Sequence, residues 1–436
     1  MDLSATSAPV HSGASRMTTE ARRKRIAVTF IGINYEPEPL GIAPYSTGLC
    51  NQLAARGYDV RVITGVPHYP EWRIAPEYKW TWTSFETISG VPVKRVRHSI
   101  PKKFTNSRRL VMEATFGSRA ALSKWDEPDV LICVTPALVS TALICLKNHA
   151  LGRRRPALGV WVQDLYTVGL AETQTGGSAA AGIARRLESW VLRQADGVAV
   201  IHDRFRTQLL ESLHVSPAKV RTIRNWARIS SYASHDRNAA REQFGWAPDE
   251  IIVLHAGAMG VKQGLENVVR AAQIADQQNS RIRFVLLGDG NQRRSLEAMA
   301  RGTWRLEIRD PLPDDKFAAA LTAADILLVN QKPGVAEMSI PSKLISYFQS
   351  GTPVLAAIDS GSNAAEEIRN SGAGIIVESG DPVTLLDAAA ALGADPNLRR
   401  RLGANGREYV TRVLSAEHSM DDFDNWVQQL LASRRR

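Results

Sequence analysis

Residues 251–272 read IIVLHAGAMGVKQGLENVVRAA. The first six are mostly β-branched or apolar and predict a buried strand, and the glycines that follow predict a turn. Further on, Leu265, Val268, Val269 and Ala272 recur at positions i, i+3, i+4 and i+7, along one buried face of a helix. A strand followed by a turn and an amphipathic helix belongs to a βαβ crossover, so this stretch predicts a parallel sheet covered by helices.

The same alternation of short β-branched runs with helical patterns covers most of the chain. We predict strands at residues 26–33, 60–64, 93–96, 130–134, 158–162, 198–201, 220–223, 251–256, 283–287, 326–329, 354–358 and 374–377. The alternation stops in a polar stretch near residue 230 and then resumes. We therefore predict an α/β protein with two Rossmann-like, doubly wound parallel-sheet domains that face a cleft.

Domain boundaries follow from this pattern. Residues 1–25, rich in Ser, Ala and Thr, are predicted to be a disordered tail. The N-terminal domain is assigned to residues 26–228 and the C-terminal domain to residues 229–415. Residues 416–436 form a last helical pattern, which could pack back on the N-terminal domain. Because ligands of open parallel sheets bind beyond the carboxyl ends of the strands, the loops that follow the strands are the candidate sites.

Composition limits the class of protein. The chain of 436 residues is too long for one hydrophobic core, and its 44% hydrophobic content is ordinary for a folded protein. With 54 Lys and Arg against 44 Asp and Glu, the net charge is +10, which suits nucleic acid, a membrane surface or a phosphorylated substrate. Its three cysteines have no metal-ligand spacing, and we expect buried thiols in a reducing cytoplasm. The uncharged run 130–146 contains a proline, which favours a strand, a turn and a helix over a membrane span.

Two loops after predicted strands have backbone suited to phosphate. The loop after the first strand passes through Gly41 into a helix start, which suits an anion, an ordinary loop being the alternative. After the strand at 251–256, Gly257 and Gly260 leave bare backbone beside Lys262. Its ammonium could neutralise a diphosphate at the start of the helix, a solvated surface lysine being the alternative.

A third glycine loop follows the predicted strand at 283–287. Gly288 begins a sequence like a dinucleotide fingerprint, but Arg293 stands where the third glycine is expected. This substitution argues against an NAD site.

The most informative stretch is residues 337–344, which read EMSIPSKL. Pro341 at a helix start places Ser342 and Lys343 in the first turn, where unpaired backbone N–H groups point into the cleft. Glu337 lies just upstream and could accept hydrogen bonds from sugar hydroxyls. A capping role alone for Ser342 is the alternative.

Taken together, these motifs resemble those of the group 1 glycosyltransferases of GT-B architecture, over nearly the whole chain from residue 26 onward. Within that family the chain looks like the branch that makes colanic-acid-like exopolysaccharides. The motifs that carry the resemblance are GINY (32–35), TGVPHYPEW (64–72), VQDL (162–165), IRNW (223–226), GVKQGL (260–265) and PSKL (341–344).

The resemblance implies roles for individual residues. Lys262 would hold the donor diphosphate, Glu337 would touch the donor sugar, and His68 and Asp164 would line the acceptor side; an ordinary loop histidine is the alternative for His68. The family acid that grips the ribose is replaced here by Ser346. The expected catalytic residues are Lys262, Glu337 and Asp164. The expected donor-binding residues are Gly41, Gly257, Gly260, Lys262, Gly288, Glu337, Ile340, Ser342, Lys343 and Ser346.

The function implied is transfer of a sugar, with retention, from a UDP- or GDP-sugar to a lipid-diphosphate-linked oligosaccharide. No cofactor is expected, since the nucleotide sugar is a co-substrate. No metal is expected either, because the Asp-x-Asp pair at 422–424 lies far along the chain from every phosphate loop. A sugar-nucleotide epimerase of the same fold is the nearest alternative. An NAD-dependent oxidoreductase and a nucleic-acid-binding protein are alternatives from other classes of function. Against nucleic-acid binding, the arginines are not interleaved with aromatic residues on one element.

We also expect the protein to lie in the cytoplasm, peripherally on the inner face of the cytoplasmic membrane. One segment mixes basic residues with large apolar ones, as suits an anionic interface, and solvated cations over an internally packed face are the alternative. Its members are Lys102, Lys103, Arg108, Arg109, Arg119, Leu110, Val111, Met112, Phe116, Leu122 and Trp125.

Overall fold

The computed structural model describes residues 25–39, 41–101, 105–167, 178–226, 236–334 and 342–434. They form two sheets with helices packed around them, which confirms the predicted fold class. The expected tail and the expected domain junction near residue 230 lie largely outside the described residues.

The first sheet has eight strands in the order β3-β4-β2-β1-β5-β6-β7-β8. All neighbours are parallel except β3, which pairs with β4 in the antiparallel direction. The strands are β1 (Ala27–Gly32), β2 (Asp59–Gly65), β3 (Thr83–Ile88), β4 (Val91–Val96), β5 (Val130–Val134), β6 (Ala157–Val162), β7 (Gly197–Val200) and β8 (Val220–Thr222).

The second sheet has six strands, all parallel, in the order β11-β10-β9-β12-β13-β14. The strands are β9 (Ile251–Ala256), β10 (Ile282–Leu287), β11 (Leu306–Arg309), β12 (Ile326–Asn330), β13 (Val354–Ala357) and β14 (Gly374–Val377).

Both sheets are buried on their two faces. Phe30 and Ile31 of β1 enter different apolar clusters, as do Ile252 and Val253 of β9. Such strands read as nearly continuous apolar runs, because both faces must be covered in a parallel sheet. The helices are α1 (Ala43–Ala55), α2 (Asn106–Leu122), α3 (Leu138–Ala150), α4 (Ser178–Gln194), α5 (Asp203–Glu211), α6 (Arg237–Phe244), α7 (Glu266–Gln277), α8 (Arg293–Met299), α9 (Asp314–Ala323), α10 (Ser342–Ser350), α11 (Asn363–Ser371), α12 (Pro382–Ala394), α13 (Pro396–Val413) and α14 (Ala416–Arg434).

Sequence patterns missed two strands, β3 and β11. Both lie at a sheet edge and contain no fully buried residue, so they lack the apolar run that marked the others. The uncharged run 130–146 is strand β5, a turn and most of α3, as predicted. In the described ranges no helix combines the length and the apolar character that a membrane span requires. All three cysteines are buried.

The last helix, α14, lies against the N-terminal sheet, where it contacts β5, β6 and β7. Its Trp426 ring fills the space left by two strand glycines. A Cβ atom would lie 2.7 Å from that ring at Gly159 and 2.9 Å from it at Gly197. The chain thus crosses back from the C-terminal domain to the N-terminal one at the start of α14.

Candidate functional site

The two glycine loops of the C-terminal domain lie side by side beyond the carboxyl ends of β9 and β10. The backbone N–H of Gly257 donates to Leu287 O at 2.8 Å, and that of Met259 donates to Asp289 O at 2.8 Å. Gly288 has φ +147°, and a Cβ atom there would overlap the carbonyl oxygen of Gly257. Only glycine allows this approach, so the sequence keeps bare backbone at the point where a phosphate would arrive.

Lys262 lies in a single turn, Val261–Gln263, and is exposed. The sequence predicted that it stands at a helix start, but Gly264 at φ +54° separates this turn from α7. The turn is attached to the end of β12. The backbone N–H of Lys332 donates to Lys262 O at 2.9 Å, and Asn330 Nδ2 donates to Gln263 O at 2.8 Å. Gly260 belongs to the same turn, since its N–H donates to the side-chain oxygen of Gln263 at 3.0 Å.

The second cation at these loops is Lys343, on the first turn of α10. Its Nζ lies 3.5 Å from Nε2 of His255 and alongside Gly257. Burial, and then the charge of Lys343, hold the pKa of His255 well below its usual value, so the imidazole is neutral. A neutral ring adds no second positive charge beside Lys343. Lys343 therefore lies beside the bare backbone at Gly257, and Lys262 lies in the turn that follows the same loop.

Helix α10 is attached to β9 through Tyr347, whose hydroxyl accepts from the backbone N–H of Ala256 at 2.9 Å. Ser346 lies one turn after Lys343, half-buried on the same helix. Ser342 is the first residue of α10. The predicted Glu337 and Ile340 lie outside the described residues, as does Pro341.

On the N-terminal side, a pocket of about 270 Å³ opens at the carboxyl ends of β1, β2 and β5. Gly41 and His68, both predicted site residues, line it. Its remaining lining is largely apolar and aromatic, with one arginine and one carboxylate: Ile33, Ile42, Tyr69, Trp72, Arg109 and Glu113. Gly41 and His68 therefore line the same pocket.

His68 is buried and oriented by a carboxylate that sequence reasoning left without a role, Glu38. Glu38 accepts from the backbone N–H groups of His68 at 2.8 Å and Tyr69 at 3.0 Å, and from Asn34 Nδ2 at 2.7 Å. Nδ1 of His68 faces two acceptors, Val66 O and Glu38 Oε1, each at 3.1 Å. Nδ1 therefore carries the hydrogen and donates. The only sequence signal for Glu38 was its place in the loop after the first strand.

Arg109, one of the basic residues predicted for a membrane interface, lines this pocket. Its Nε lies 2.9 Å from Glu113, its Nη2 donates to Pro136 O at 3.1 Å, and its guanidinium lies 4.6 Å from the Tyr166 ring. Burial raises the pKa of Glu113, while the charge of Arg109 works against that shift. The pair therefore places a guanidinium and a carboxylate together in the wall of this pocket.

Three of the apolar residues predicted to face an interface are buried in the protein's own core: Met112, Phe116 and Trp125. Helix α2 covers β1, β2 and β4 with that face, so for these residues the packing alternative is correct. Leu110, Val111 and Leu122 remain exposed. Lys102 and Lys103 lie outside the described residues.

Asp164 follows β6 and is half-buried. Its carboxylate accepts from the N–H of Leu165 at 2.8 Å, and its backbone oxygen accepts from the Thr135 hydroxyl at 2.7 Å. Thr135 lines the acceptor-side pocket, so Asp164 lies next to that pocket. Near Asp164, the buried Glu188 accepts from the backbone N–H of Tyr166 at 2.6 Å. Burial raises the pKa of the Glu188 carboxyl.

The described residues contain no group of three or more His, Cys, Asp or Glu side chains that could hold a metal ion. Asp424, half of the Asp-x-Asp pair, accepts from the Tyr58 hydroxyl on the N-terminal domain. At the third glycine loop, Arg293 stands where a dinucleotide fingerprint has its third glycine. Its side chain reaches back over the loop and donates to Gly288 O at 3.0 Å.

Comparison with known proteins finds a family model for each half of the chain. The family model for the glycosyl transferase 4-like domain matches residues 41–226, and the model for glycosyl transferases group 1 matches residues 236–409. WcaI of Escherichia coli K12, named as a colanic acid biosynthesis glycosyl transferase, is 29% identical over 91% of this chain and 98% of its own length.

Two solved structures have the same fold. Sucrose-phosphate synthase from Thermosynechococcus elongatus superposes with a TM-score of 0.69 at 20% identity, covering 94% of this chain and 100% of that one. HepE of Anabaena in complex with UDP gives a TM-score of 0.66 at 14% identity, covering 92% of this chain and 100% of that one. Since the two family models together account for most of the sequence, the chain belongs to the group 1 glycosyltransferases and has their two-domain GT-B fold.

Proposed function

We propose that the protein transfers a sugar from a UDP- or GDP-sugar to a lipid-diphosphate-linked oligosaccharide in the biosynthesis of an exopolysaccharide or another cell-surface polysaccharide. The observation that carries this proposal is bare glycine backbone at the strand ends, with Lys343 Nζ beside Gly257 and Lys262 in the turn that follows this loop. Further support comes from the name of the Escherichia coli relative and from the UDP bound in the HepE complex.

On the donor side, the diphosphate would lie over Gly257 and Gly288. The two ammonium groups and the N-terminus of α10 would offset the charge that grows on the leaving diphosphate. Glu337 is proposed to orient donor-sugar hydroxyls, with Ile340 and Ser342 contributing backbone N–H groups. Ser346, on the same helix as Lys343, would face the ribose without the charge of the usual family acid.

On the acceptor side, the pocket that contains Trp72 would hold the glycan, since aromatic rings stack on sugars through their apolar faces. Nε2 of His68 would accept a hydrogen bond from an acceptor hydroxyl, and Glu38 would keep that ring in the required tautomer. Asp164, next to the same pocket, would help to align the attacking oxygen.

Transfer is proposed to proceed by front-face displacement with retention and without a divalent metal. The bond from the anomeric carbon to the diphosphate oxygen breaks as the bond to the acceptor oxygen forms on the same face, and the leaving phosphate takes the acceptor proton. A double displacement would need a carboxylate nucleophile and a separate acid–base group, whereas Glu337 is the single acid proposed at the donor sugar.

The test is NMR analysis of the product formed in EDTA. We expect the new glycosidic bond to keep the anomeric configuration of the donor, with turnover unchanged by the chelator. An inverted linkage would rule out front-face displacement. Activity that disappears with EDTA and returns with manganese would rule out the metal-free mechanism.

We place the enzyme in the cytoplasm, on the inner face of the cytoplasmic membrane. Two features of the proposed reaction support this location. A lipid-linked acceptor keeps its lipid in a bilayer, and the proposed donor, a nucleotide sugar, is taken from the cytoplasm. The formal net charge of +10 favours binding to an anionic membrane surface.

A further inference from the structure

The outer edge of the N-terminal sheet exposes three large aromatic side chains. Trp80, Trp82 and Phe85, in and just before β3, are 89%, 70% and 77% exposed. Edge strands usually carry charged residues to prevent association, so exposed aromatics at this position are unusual. We call these three residues the aromatic edge.

Each ring of the aromatic edge has a cation near its face. Lys79 Nζ lies 5.4 Å from the centre of Trp80, Lys94 Nζ lies 5.6 Å from that of Phe85, and the Arg119 guanidinium lies 4.0 Å from that of Trp82. The surface therefore combines apolar area with positive charge along the length of β3.

Beside Trp82 lies a pocket of about 490 Å³ whose lining includes Arg97 and Arg119 but no carboxylate. Nη2 of Arg119 donates to Trp82 O at 3.0 Å and to Thr83 Oγ1 at 3.1 Å, whereas its Nη1 is buried without a partner. Burial, and then the charge of Arg97, lower the pKa of Arg119. Throughout the described part of the chain, no acidic side chain forms an ion pair with either arginine. We call this the arginine pocket.

The arginine pocket is close to the acceptor-side pocket. His98 lines the arginine pocket, and its ring centre lies 4.9 Å from that of His68. Helix α2 also joins them, because it carries Arg109 toward the acceptor side and Arg119 toward the arginine pocket. The two pockets are therefore separated by the buried contact between His68 and His98.

We infer that the aromatic edge and the arginine pocket together bind an anionic phospholipid surface. The guanidinium groups of Arg97 and Arg119 line the same pocket, and two cations with planar N–H donors match a headgroup phosphate. Tryptophan rings favour the boundary between headgroups and acyl chains, and basic residues favour anionic lipid. The inference rests on the proposed function for its purpose, since a lipid-linked acceptor must be met at a bilayer. Vesicle binding needs no sugar transfer, so the two can fail separately.

The experiment is sedimentation of the full chain with phosphatidylcholine vesicles, with and without phosphatidylglycerol. We expect binding only with phosphatidylglycerol, and loss of binding as salt is raised. The variant Trp80→Ala/Trp82→Ala should weaken binding by on the order of tenfold or more. Arg97→Gln/Arg119→Gln should weaken it by roughly twenty-fold, at about fivefold for each charge.

The matched control is Trp304→Ala, which removes a tryptophan that is 87% exposed on the C-terminal domain and should leave binding unchanged. Because Arg119 also binds β3, thermal unfolding must show that its variant is folded, and the tryptophan variant tests the surface independently. Transfer to a short, water-soluble acceptor should be unchanged in the tryptophan variant.

Equal sedimentation of wild type and both double variants would overturn the inference, as would equal binding to neutral vesicles. It would also be overturned if these substitutions abolished binding to an oligonucleotide but left vesicle binding intact, since the surface would then serve nucleic acid.

Discussion

Lys262 is held by bonds that do not involve its side chain. The carbonyl groups of Lys262 and Gln263 accept from Lys332 and Asn330, so the turn should survive truncation of the lysine. We expect Lys262→Ala to lower kcat/KM by roughly a hundredfold or more, about 3 kcal/mol of transition-state stabilisation, while the melting temperature changes little. Steady-state kinetics on the purified variant, with a thermal melt, measure both.

The matched control for that substitution is Lys316→Ala, an exposed lysine on α9 of the same domain. It removes the same charge from the protein without touching the glycine loops and should keep wild-type kinetics. If both variants turned over at the wild-type rate, Lys262 would have no part in binding the diphosphate.

At the scale of elements, α10 depends on its close packing with α13. A Cβ atom at Gly403 of α13 would overlap the carbonyl oxygen of Gly351, directly after α10. We expect Gly403→Ala to push α13 away, to destabilise the protein by about 1–3 kcal/mol, and to raise KM for the donor by moving Lys343. Denaturant unfolding and donor titration give the two readouts.

Gly182→Ala is the control at this scale, since Gly182 also lies in a helix, α4, but a Cβ atom there would meet nothing within 4 Å. Alanine should then increase stability, by up to about 1 kcal/mol, because it favours the helix over the unfolded chain. The same response at both positions would show that the α10–α13 contact is not tight.

For the whole molecule, the cross-domain pair of Arg224 and Glu367 is the contact to test. Arg224 Nη1 lies 2.7 Å from Glu367 Oε2, and the Glu367 side chain is only 4% exposed. We expect Arg224→Met to cost about 3 kcal/mol, because it leaves a buried carboxylate without its cation. The double variant Arg224→Met/Glu367→Leu should recover much of that loss, as measured by chemical unfolding.

The control is an exposed ion pair with the same N–O distance. Arg56 Nη1 also lies 2.7 Å from its partner, Asp421 on α14, but Asp421 is 60% exposed. Arg56→Met should therefore cost less than about 1 kcal/mol. Equal losses for Arg56→Met and Arg224→Met, or a double variant as unstable as Arg224→Met, would contradict this account of the domain contact.

The local sequence was sufficient for much of the fold. The predicted strands at 130–134 and 251–256 have the bounds of β5 and β9, because strands covered on both faces are continuous apolar runs between turn residues. The glycines of the donor loops could also be read from the sequence, since backbone that approaches backbone this closely excludes side chains.

Contacts between distant residues were decided only by the tertiary structure. Glu38 and His68 are 30 residues apart, and no periodicity relates them; they meet because β1 and β2 are neighbours and their following loops share one sheet edge. The same holds for Arg109, whose Nη2 donates to the carbonyl oxygen of Pro136, 27 residues away along the chain. The period at which hydrophobic residues recur in the sequence indicates which face of a helix or strand is buried. The partner of a charged side chain depends instead on which helices and strands the fold brings beside it.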